Sequence, residues 1–466
     1  MSTATTVEGL KRALGDAQVV ADPARLSERR HDYWMISHLR DRRGTPAPAP
    51  ACVVRPRSAA DVQAAIRFAA EHGVPVIPFG LGSGVVGGVI ARPDAIVIDL
   101  SGMNRVRAID PVNLLASFDA GKNGAEAEAA VAEQGLTIGH WPQSVAVSSV
   151  GGWVATRASG QFSTANGNIE DIVHSIEAVL PNGALVVLGR GPRASAGPDL
   201  RHLMLGSEGT LGVITGVTVS LRRAAEARAL SAYETATMQA GFDLQREIVQ
   251  RGWRPPVMRQ YDERESRRLD GRLSRCALLM VHEGPAALVA AETTAIAALA
   301  AEMGTAPAPA DVVEHWLEHR NNVPPWDSIL ERNMVADTVE VSAGWDAIGK
   351  VYDDAVASLK EIPGCLAASA HSSHVYRSGL NLYFTFAVLP PDPADMESAY
   401  FEAWKRIMQA TDRRGGSLSH HHGIGRARRD YLARELGPEG VALLKTVKAA
   451  LDPKGIMNPG VLLPDA

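Results

Sequence analysis

The sequence predicts an α+β protein with two domains and a helical C-terminal segment. A chain of 466 residues is long enough for two or three domains. A glycine-rich loop follows an apolar run near residue 78, and the chain around it is rich in strand-like runs and glycine. Farther along, strand-like runs alternate with helical stretches, and the tail is mainly helical in pattern. We therefore expect an N-terminal helical segment and three further units, with limits 1–50, 51–222, 223–415 and 416–466.

Local patterns define the individual elements. A capping-box pattern at Ser58 and Asp61 begins a helix that Gly73 ends. The triplet Pro181-Asn182-Gly183 predicts a hairpin turn, and the alternation from Val213 to Leu221 predicts a half-buried strand. The other expected elements are strands at 176–180, 184–188, 276–281 and 380–388, a helix at 285–303, and a strand followed by a helix from 335 to 359.

Composition and charge exclude several classes of protein. The formal net charge of -5 argues against nucleic acid as the main partner. The three cysteines are far apart and form no CxxC, so neither a disulfide framework nor an iron–sulfur site is indicated. No apolar run is long enough for a membrane span, and the polar N-terminus lacks a signal-peptide pattern. We expect a cytoplasmic protein, and a homodimer is compatible with the sequence.

The run from Pro78 to Gly88 is the most informative motif. It holds five glycines and one serine in eleven residues. Without Cβ atoms, backbone N–H groups can converge on an anion, such as the pyrophosphate of a dinucleotide. A glycine-rich turn without a ligand is the competing interpretation.

The same run contains a GxGxxG, so a Rossmann nucleotide site is an alternative. That motif should open a helix. Here Pro93 follows soon after, residues 95–100 read as a strand, and the expected helix lies before the loop. This order of elements disfavours Rossmann binding of NAD.

Four segments dense in glycine, serine and threonine lie within one region of about 150 residues. Together they resemble the FAD-binding domain of the vanillyl-alcohol-oxidase (PCMH-type) flavoprotein superfamily. Pro78 to Gly88 fits its P-x-G-x-G-[ST]-G-x-x-G-G loop, and Leu451 to Gly460 fits its terminal motif. Segments 151–160, 167–171 and 415–423 are similar to those of the alkyldihydroxyacetonephosphate synthase family.

The resemblance implies a PCMH-type FAD-binding domain, an α+β cap domain over the isoalloxazine, and a tail that returns to the first domain. Residues 78–88 hold no histidine, so we expect non-covalent FAD, although a linkage from the cap domain stays open. The residues expected to bind FAD are Pro78, Gly80, Leu81, Gly82, Ser83, Gly84, Gly87, Gln143, Ser144, Ser148, Ser149, Gly151, Gly152, Thr156, Arg157, Ala158, Ser159, Glu208, Gly209, Val213 and Ile214.

The second strong feature is the histidine run His420, His421 and His422. Neutral imidazoles can act as base, hydrogen-bond acceptor or metal ligand, and a surface histidine cluster is the simpler interpretation. In an extended segment at most two of the three would face one site. In related D-2-hydroxy-acid dehydrogenases a glutamate stands at the place of His421 and helps to hold a metal. Here that ligand pattern is broken, so we predict no metal, although a site built on His374 and His421 stays open.

Two more residues match the synthase family. The resemblance implies proton transfer by Tyr383 and an active-site role for Arg259, which can hold a carboxylate or an anionic flavin. A core aromatic and a surface salt bridge are the simpler alternatives. The family's phosphate-binding arginine corresponds to Trp326, and only Arg320 or Arg332 could replace it.

These observations predict an FAD-dependent oxidoreductase that oxidises a small hydroxylated substrate. Hydride would pass to flavin N5 while Tyr383 or one of His420, His421 and His422 takes the hydroxyl proton. The alternative is an alkyldihydroxyacetonephosphate-synthase-like transferase that uses a flavin N5 adduct without net oxidation. The missing phosphate arginine favours oxidation, because a buried phosphate dianion without a cation is costly.

Overall fold

The computed structural model describes residues 2–464. The N-terminal part has helices at Thr3–Leu14, Pro23–Ser27 and Met35–Arg42. It leads into a four-stranded sheet, called the first sheet below, in which the last three strands are parallel and the first is antiparallel to its neighbour. In spatial order its strands are Val19–Val20, Cys52–Val54, Ile96–Asp99 and Val76–Phe79.

The expected helix before the glycine loop is confirmed, at Ala59–His72. The Ser58 hydroxyl accepts a hydrogen bond from the Asp61 N–H, and Gly73 ends the helix with a φ of 65°. The return bond of the capping box differs from the expected one. The Asp61 carboxylate accepts from the N–H of Arg57, at 2.8 Å, so the pattern fixed the helix start but not both partners.

A second, antiparallel sheet of five strands follows. Its strands in spatial order are Val106–Asp110, Leu115–Asp119, Val213–Ser220, Val173–Val179 and Leu185–Leu188. The predicted hairpin is confirmed, with Gly183 at a φ of 80°. The expectation of a half-buried strand was wrong for residues 213–217 of Val213–Ser220, which are all buried, whereas the last three residues alternate as expected. Val213 packs in the core of the first sheet, whereas Val217 packs with Trp153 on the other side.

Short elements connect these two sheets. Strands Leu136–Thr137 and Arg222–Arg223 pair with each other. The helices of this region are Gly124–Ala132, Val150–Thr156, Ser163–Asn166, Ile169–Ile172 and Arg201–Met204.

The second half of the chain forms a large antiparallel sheet of eight strands. The strands expected at 276–281, 335 onward and 380–388 are confirmed. Its strands in spatial order are Ala306–Ala308, Ala227–Thr235, Cys276–Gly284, Val257–Tyr261, Cys365–Ser372, Gly379–Val388 and Val335–Gly344, with Val375–Tyr376 paired to Gly379–Val388. The helices beside it are Met238–Gln250, Glu263–Leu269, Ala286–Glu302, Asp311–His319, Asp327–Leu330, Ile348–Lys360 and Met396–Arg413. The domain limits stay a prediction.

The tail is helical only in part. A helix runs from Leu432 to Leu451 with a break at Gly437, where φ is 70°. The expected helical tail is confirmed over this helix, whereas residues 423–431 hold only a 3-10 turn, and after residue 451 glycines and prolines interrupt the backbone. As the resemblance implied, the tail returns to the first sheet: the N–H of Val76 donates to the carbonyl of Ile456 at 2.8 Å. Among residues 2–464, no helix is both long and apolar enough to cross a membrane.

Candidate active site

The glycine loop offers backbone donors that the protein itself does not use. Within residues 2–464, the N–H groups of residues 81–87 donate no hydrogen bond. Gly82 and Gly87 have φ values of 73° and 71°, which side-chain-bearing residues rarely adopt. A Cβ on Gly80 would lie 2.5 Å from the Ser149 hydroxyl. The loop therefore has the free N–H groups and the bare surface that an anion requires.

A buried carboxylate that the sequence did not reveal lies under this loop. Asp32 Oδ2 accepts a hydrogen bond from the N–H of Val89 at 3.2 Å and would lie 3.0 Å from a Cβ on Gly84. Burial raises the pKa of Asp32 to about 7. Asp32 is thus protonated more readily than an ordinary carboxyl, which lowers its repulsion of an anion bound in the loop.

Most polar side chains expected to bind the cofactor already have protein partners. Ser149 caps the helix Val150–Thr156 by accepting from the N–H of Gly152 at 3.2 Å. The remaining pairs are Ser148 with Trp153, Thr156 with the Gly152 carbonyl, Arg157 with Glu170, Ser159 with His374, and Gln143 with the Asn322 carbonyl. Contact of these side chains with FAD stays a prediction. The glycines among the residues expected to bind FAD have no side chain and therefore permit close packing.

Glu208 has a structural role that the motif alone does not suggest. Its backbone is left-handed, with a φ of 47°, and its side chain is buried. Its Oε1 accepts from the N–H of Ile424 at 2.7 Å, so it ties the loop after the histidine run to the first domain. Burial raises the pKa of Glu208 to about 7. Two polar atoms of the neighbouring Ser207 and of the terminal motif, Ser207 Oγ and Asn458 Oδ1, are buried without a partner in the described chain. Such atoms fit a bound polar cofactor.

The histidine run is not extended, and this changes its geometry. Residues 420–422 form bends, so the expected alternation of side chains does not hold. His420 Nδ1 lies 2.7 Å from His421 Nδ1. His421 Nε2 is hydrogen-bonded to the Tyr383 hydroxyl, and His420 Nε2 lies 2.6 Å from the hydroxyl of Tyr376. Tyr383 and the histidine run thus form one connected cluster.

Burial sets the charge of this cluster. It lowers the pKa of His420 to about 4 and that of His421 well below its ordinary value, where the neighbouring histidines add to the effect. Burial also raises the pKa of the Tyr383 hydroxyl, and the negative charge of Glu340 raises it further. The imidazoles of His420 and His421 and the phenol of Tyr383 are therefore neutral near pH 7.

Glu340 and Arg428 hold the histidine run in place. The Glu340 carboxylate accepts from the N–H groups of His421 and His422, at 3.3 and 2.9 Å, and pairs with the fully buried Arg428. His422 Nδ1 lies 2.8 Å from Glu340 Oε2. Although burial opposes it, the Arg428 guanidinium holds the pKa of Glu340 well below its usual range. Sequence reasoning had given Glu340 no role in the site and missed Arg428, because their contacts join distant parts of the chain.

Arg259 lies in a second chain of hydrogen bonds. Its Nη2 donates to His371 Nε2 at 2.8 Å, and its Nε donates to the Tyr261 hydroxyl at 2.6 Å. His371 Nδ1 lies 2.6 Å from Glu265 Oε2. Since an arginine can only donate, His371 must carry its proton on Nδ1 and accept at Nε2. The His371 ring also stacks on Tyr383, with centroids 4.8 Å apart, so this chain contacts the cluster.

Three imidazoles come close enough to be considered as metal ligands. Nitrogens of His374, His420 and His421 lie within 4.8 Å of one another. However, both nitrogens of His420 and of His421 are engaged in hydrogen bonds, and His374 Nδ1 lies 2.7 Å from the Ser163 hydroxyl. The prediction that the site holds no metal remains to be tested.

Arg320 is a further cation near the domain boundary. Its guanidinium lies over Trp141 and Phe162, at 5.4 and 5.1 Å from the ring centres, and donates to Gln161 Oε1 at 2.7 Å. Within the described chain it forms no ion pair, and burial lowers its pKa to about 10. Trp326, at the position of the missing phosphate arginine, donates from Nε1 to the Tyr33 carbonyl at 2.9 Å. It therefore offers no cation.

Comparisons with known proteins agree with this geometry. Residues 50–189 match the family described as FAD binding domain, and residues 224–462 match FAD linked oxidases, C-terminal domain. The chain is 33% identical over 485 residues to an uncharacterized FAD-linked oxidoreductase, YgcU, of Escherichia coli (strain K12), covering 100% of this chain and 99% of that protein.

The chain is also similar to alkyldihydroxyacetonephosphate synthase of Dictyostelium discoideum, with 30% identity over 468 residues, covering 91% of this chain and 75% of that protein. A solved structure of an alkyldihydroxyacetonephosphate synthase superimposes with a TM-score of 0.83 at 26% identity, covering 98% of this chain and 86% of that one. The α+β fold with its two domains and helical tail segment is shared.

Proposed function

Since the chain belongs to the FAD-linked oxidases, we propose that it oxidises a small hydroxylated substrate that carries a negative charge. Its class, an FAD-linked oxidoreductase, and its cofactor, FAD, follow from the family. FAD supplies the hydride acceptor for such an oxidation.

Two arginines support an anionic substrate. Arg259 and Arg320 both lie beside aromatic rings, and neither has a carboxylate within ion-pair distance in the described chain. Arg259 lies over Trp316, which is one helical turn before Arg320. A partly buried guanidinium without a counter-ion is unfavourable, so a ligand carboxylate would relieve its cost.

Tyr383 is the proposed acceptor of the hydroxyl proton. Its hydroxyl is hydrogen-bonded to His421, whose lowered pKa keeps the imidazole neutral. Arg259 orients the substrate acid group, and its own orientation is fixed by His371 and Tyr261. This hydrogen bond between Tyr383 and His421 is the single observation that most supports the proposal.

A transferase of the alkyldihydroxyacetonephosphate synthase type is the second candidate. The identity to the Dictyostelium protein favours it. Trp326 argues against a phosphorylated substrate, because its indole is hydrogen-bonded to Tyr33 and Arg332 is exposed. Arg320 could serve a phosphate as well as a carboxylate, so only a substrate test separates the two candidates.

Anaerobic spectroscopy of the FAD-loaded protein is that test. A panel of 2-hydroxy acids, aromatic alcohols and ether-lipid precursors is mixed with the protein, and the flavin band at about 450 nm is followed. We expect bleaching by a hydroxylated compound that bears a carboxylate. Bleaching by none of them, together with exchange of the acyl chain of an ether-lipid precursor for a fatty alcohol, would replace the proposal with the transferase. The FAD should also be released on acid precipitation, since we expect it to be non-covalent.

A further inference from the structure

We propose that Tyr383, His421, His420 and Tyr376 form a proton relay that carries the substrate hydroxyl proton out of the active site, which gives Tyr376 a role in the reaction. The inference rests on the proposed function, because a substrate oxidised at a hydroxyl group must lose that proton.

The relay is continuous in the structure. The Tyr383 hydroxyl is hydrogen-bonded to His421 Nε2, and His421 Nδ1 lies 2.7 Å from His420 Nδ1. His420 Nε2 lies 2.6 Å from the Tyr376 hydroxyl, which donates to Asn168 Oδ1 at 3.3 Å. Each link is within hydrogen-bonding distance, so no gap needs a further group.

The hydrogen bond at the Tyr376 end of the relay fixes the direction of every other hydrogen bond in it. Because the Tyr376 hydroxyl donates to Asn168, its oxygen accepts from His420 Nε2–H. A neutral His420 with its proton on Nε2 accepts at Nδ1, so His421 donates from Nδ1–H. His421 then accepts at Nε2, and Tyr383 must donate to it. All four groups therefore point their protons the same way, from Tyr383 towards Tyr376.

This alignment allows a proton to pass without a charged imidazole. As the substrate O–H proton reaches the Tyr383 oxygen, the Tyr383 proton moves to His421 Nε2 and the His421 Nδ1 proton moves to His420 Nδ1. The His420 Nε2 proton then moves to the Tyr376 oxygen, and the Tyr376 proton leaves. Each imidazole ends in its other neutral tautomer, and each oxygen has gained one proton and lost one. An imidazolium is avoided, which suits two histidines whose burial disfavours the charged form.

A carboxylate lies at the exit. Glu170 Oε1 accepts from Arg157 at 2.8 Å, whereas Glu170 Oε2 is buried without a partner in residues 2–464. The charge of Glu170 is near enough to contribute to the raised pKa of the Tyr376 hydroxyl, after burial itself. On this proposal Glu170, whose side chain is 20% exposed, receives the proton that leaves Tyr376, once the Tyr376 hydroxyl has turned from Asn168 towards it.

The first test measures the tautomers and needs no substrate. Histidine labelled with ¹⁵N in the ring is incorporated into the FAD-loaded protein, and long-range ¹H–¹⁵N spectra are assigned with His420→Gln and His421→Gln. We expect His420 to carry its proton on Nε2 and His421 to carry its proton on Nδ1. Equal populations of the two tautomers, or a protonated ring near pH 7, would contradict the aligned hydrogen bonds and overturn the relay, whatever the enzyme oxidises.

The second test uses Tyr376→Phe, with Tyr431→Phe as a matched control outside the relay. The rate of flavin reduction by the best compound of the panel is measured in H₂O and in D₂O. We expect Tyr376→Phe to retain FAD, to slow reduction about 10-fold or more, and to lessen its solvent isotope effect. In Tyr431→Phe both quantities should equal those of the wild type. A wild-type rate and isotope effect in Tyr376→Phe would overturn the relay, while a wild-type protein that no compound reduces would count against the proposed function alone.

Discussion

The glycine loop and the histidine run prepare for ligands in opposite ways. Residues 81–87 leave their backbone N–H groups without partners in the described chain, whereas His420 and His421 use both of their ring nitrogens on protein groups. The loop is a set of free donors, and the run is a network that is already satisfied. A site that binds a cofactor can be left open, but a site that moves protons needs its hydrogen bonds aligned in advance.

The largest effect should come from filling the glycine loop with a side chain. Gly82→Glu places a Cβ 2.7 Å from the Phe79 ring at a φ of 73° and adds a carboxylate where we place the pyrophosphate. We expect the purified variant to contain no FAD by absorbance. Gly44→Glu is the control, because Gly44 has a similar φ of 71° but open space around it. Stoichiometric FAD in Gly82→Glu would locate the pyrophosphate elsewhere and remove the contrast.

Tyr383→Phe should affect the hydrogen-bond network of the histidine run and leave the glycine loop unchanged. The phenyl ring keeps the stacking on His371, but the hydroxyl bonded to His421 is lost. We expect kcat to fall about 10²-fold, the usual scale for a positioned proton-transfer group, while FAD content stays at the wild-type level. Turnover close to that of the wild type would make Tyr383 a core aromatic and nothing more.

The histidine run should matter for chemistry rather than for metal. His421→Ala should lower kcat about 10-fold or more, because it interrupts the hydrogen bonds between Tyr383 and His420. Dialysis of the wild type against a chelator should leave activity unchanged. One Zn or Mn per chain by elemental analysis, with activity lost on chelation and regained with the metal, would contradict the prediction that the site holds no metal.

The smallest effect concerns the carboxylate below the loop. Burial raises the pKa of Asp32 to about 7, so the folded protein keeps a proton that the unfolded chain releases between about pH 4 and pH 7. This contribution to stability falls as the pH rises through that window. In Asp32→Asn it is absent, so the melting temperature of the variant relative to the wild type should rise by a few degrees from pH 5 to pH 8. A constant difference would mean that Asp32 is ionised throughout.

Features that depend on local backbone chemistry were predictable from the sequence. The helix Ala59–His72, the hairpin at Gly183 and the bare loop after Phe79 each follow from residues close to one another in the chain. The prediction of a half-buried strand failed at residues 213–217, where Val213 packs into the core of the first sheet, a contact that no local pattern reports. An alternation of apolar and polar residues predicts that one face of a strand is buried, and it does not show whether another layer of the protein covers the second face.

The partners of the histidine run were not predictable for the same reason. Tyr383 and Arg259 were found through the family resemblance, but Glu265, Arg428 and Tyr376 had no motif to mark them. Their roles come from long-range contacts, such as that of Arg428 with Glu340 on a distant strand. A residue type alone does not show whether a glutamate is solvated or buried beside a guanidinium.

The pairing of the tail with the first sheet has a consequence for synthesis. Val76 and Met457 form a parallel bridge, and Asn458 donates its N–H to the carbonyl of Val76 at 2.8 Å and its side-chain amide to the carbonyl of Gly88 at 3.0 Å. During translation this edge must therefore wait until residues 456–458 have left the ribosome. Until then the cofactor loop lacks one of its supports, so cofactor loading should be a late event in biogenesis, and nascent chains paused before residue 456 should depend on chaperones.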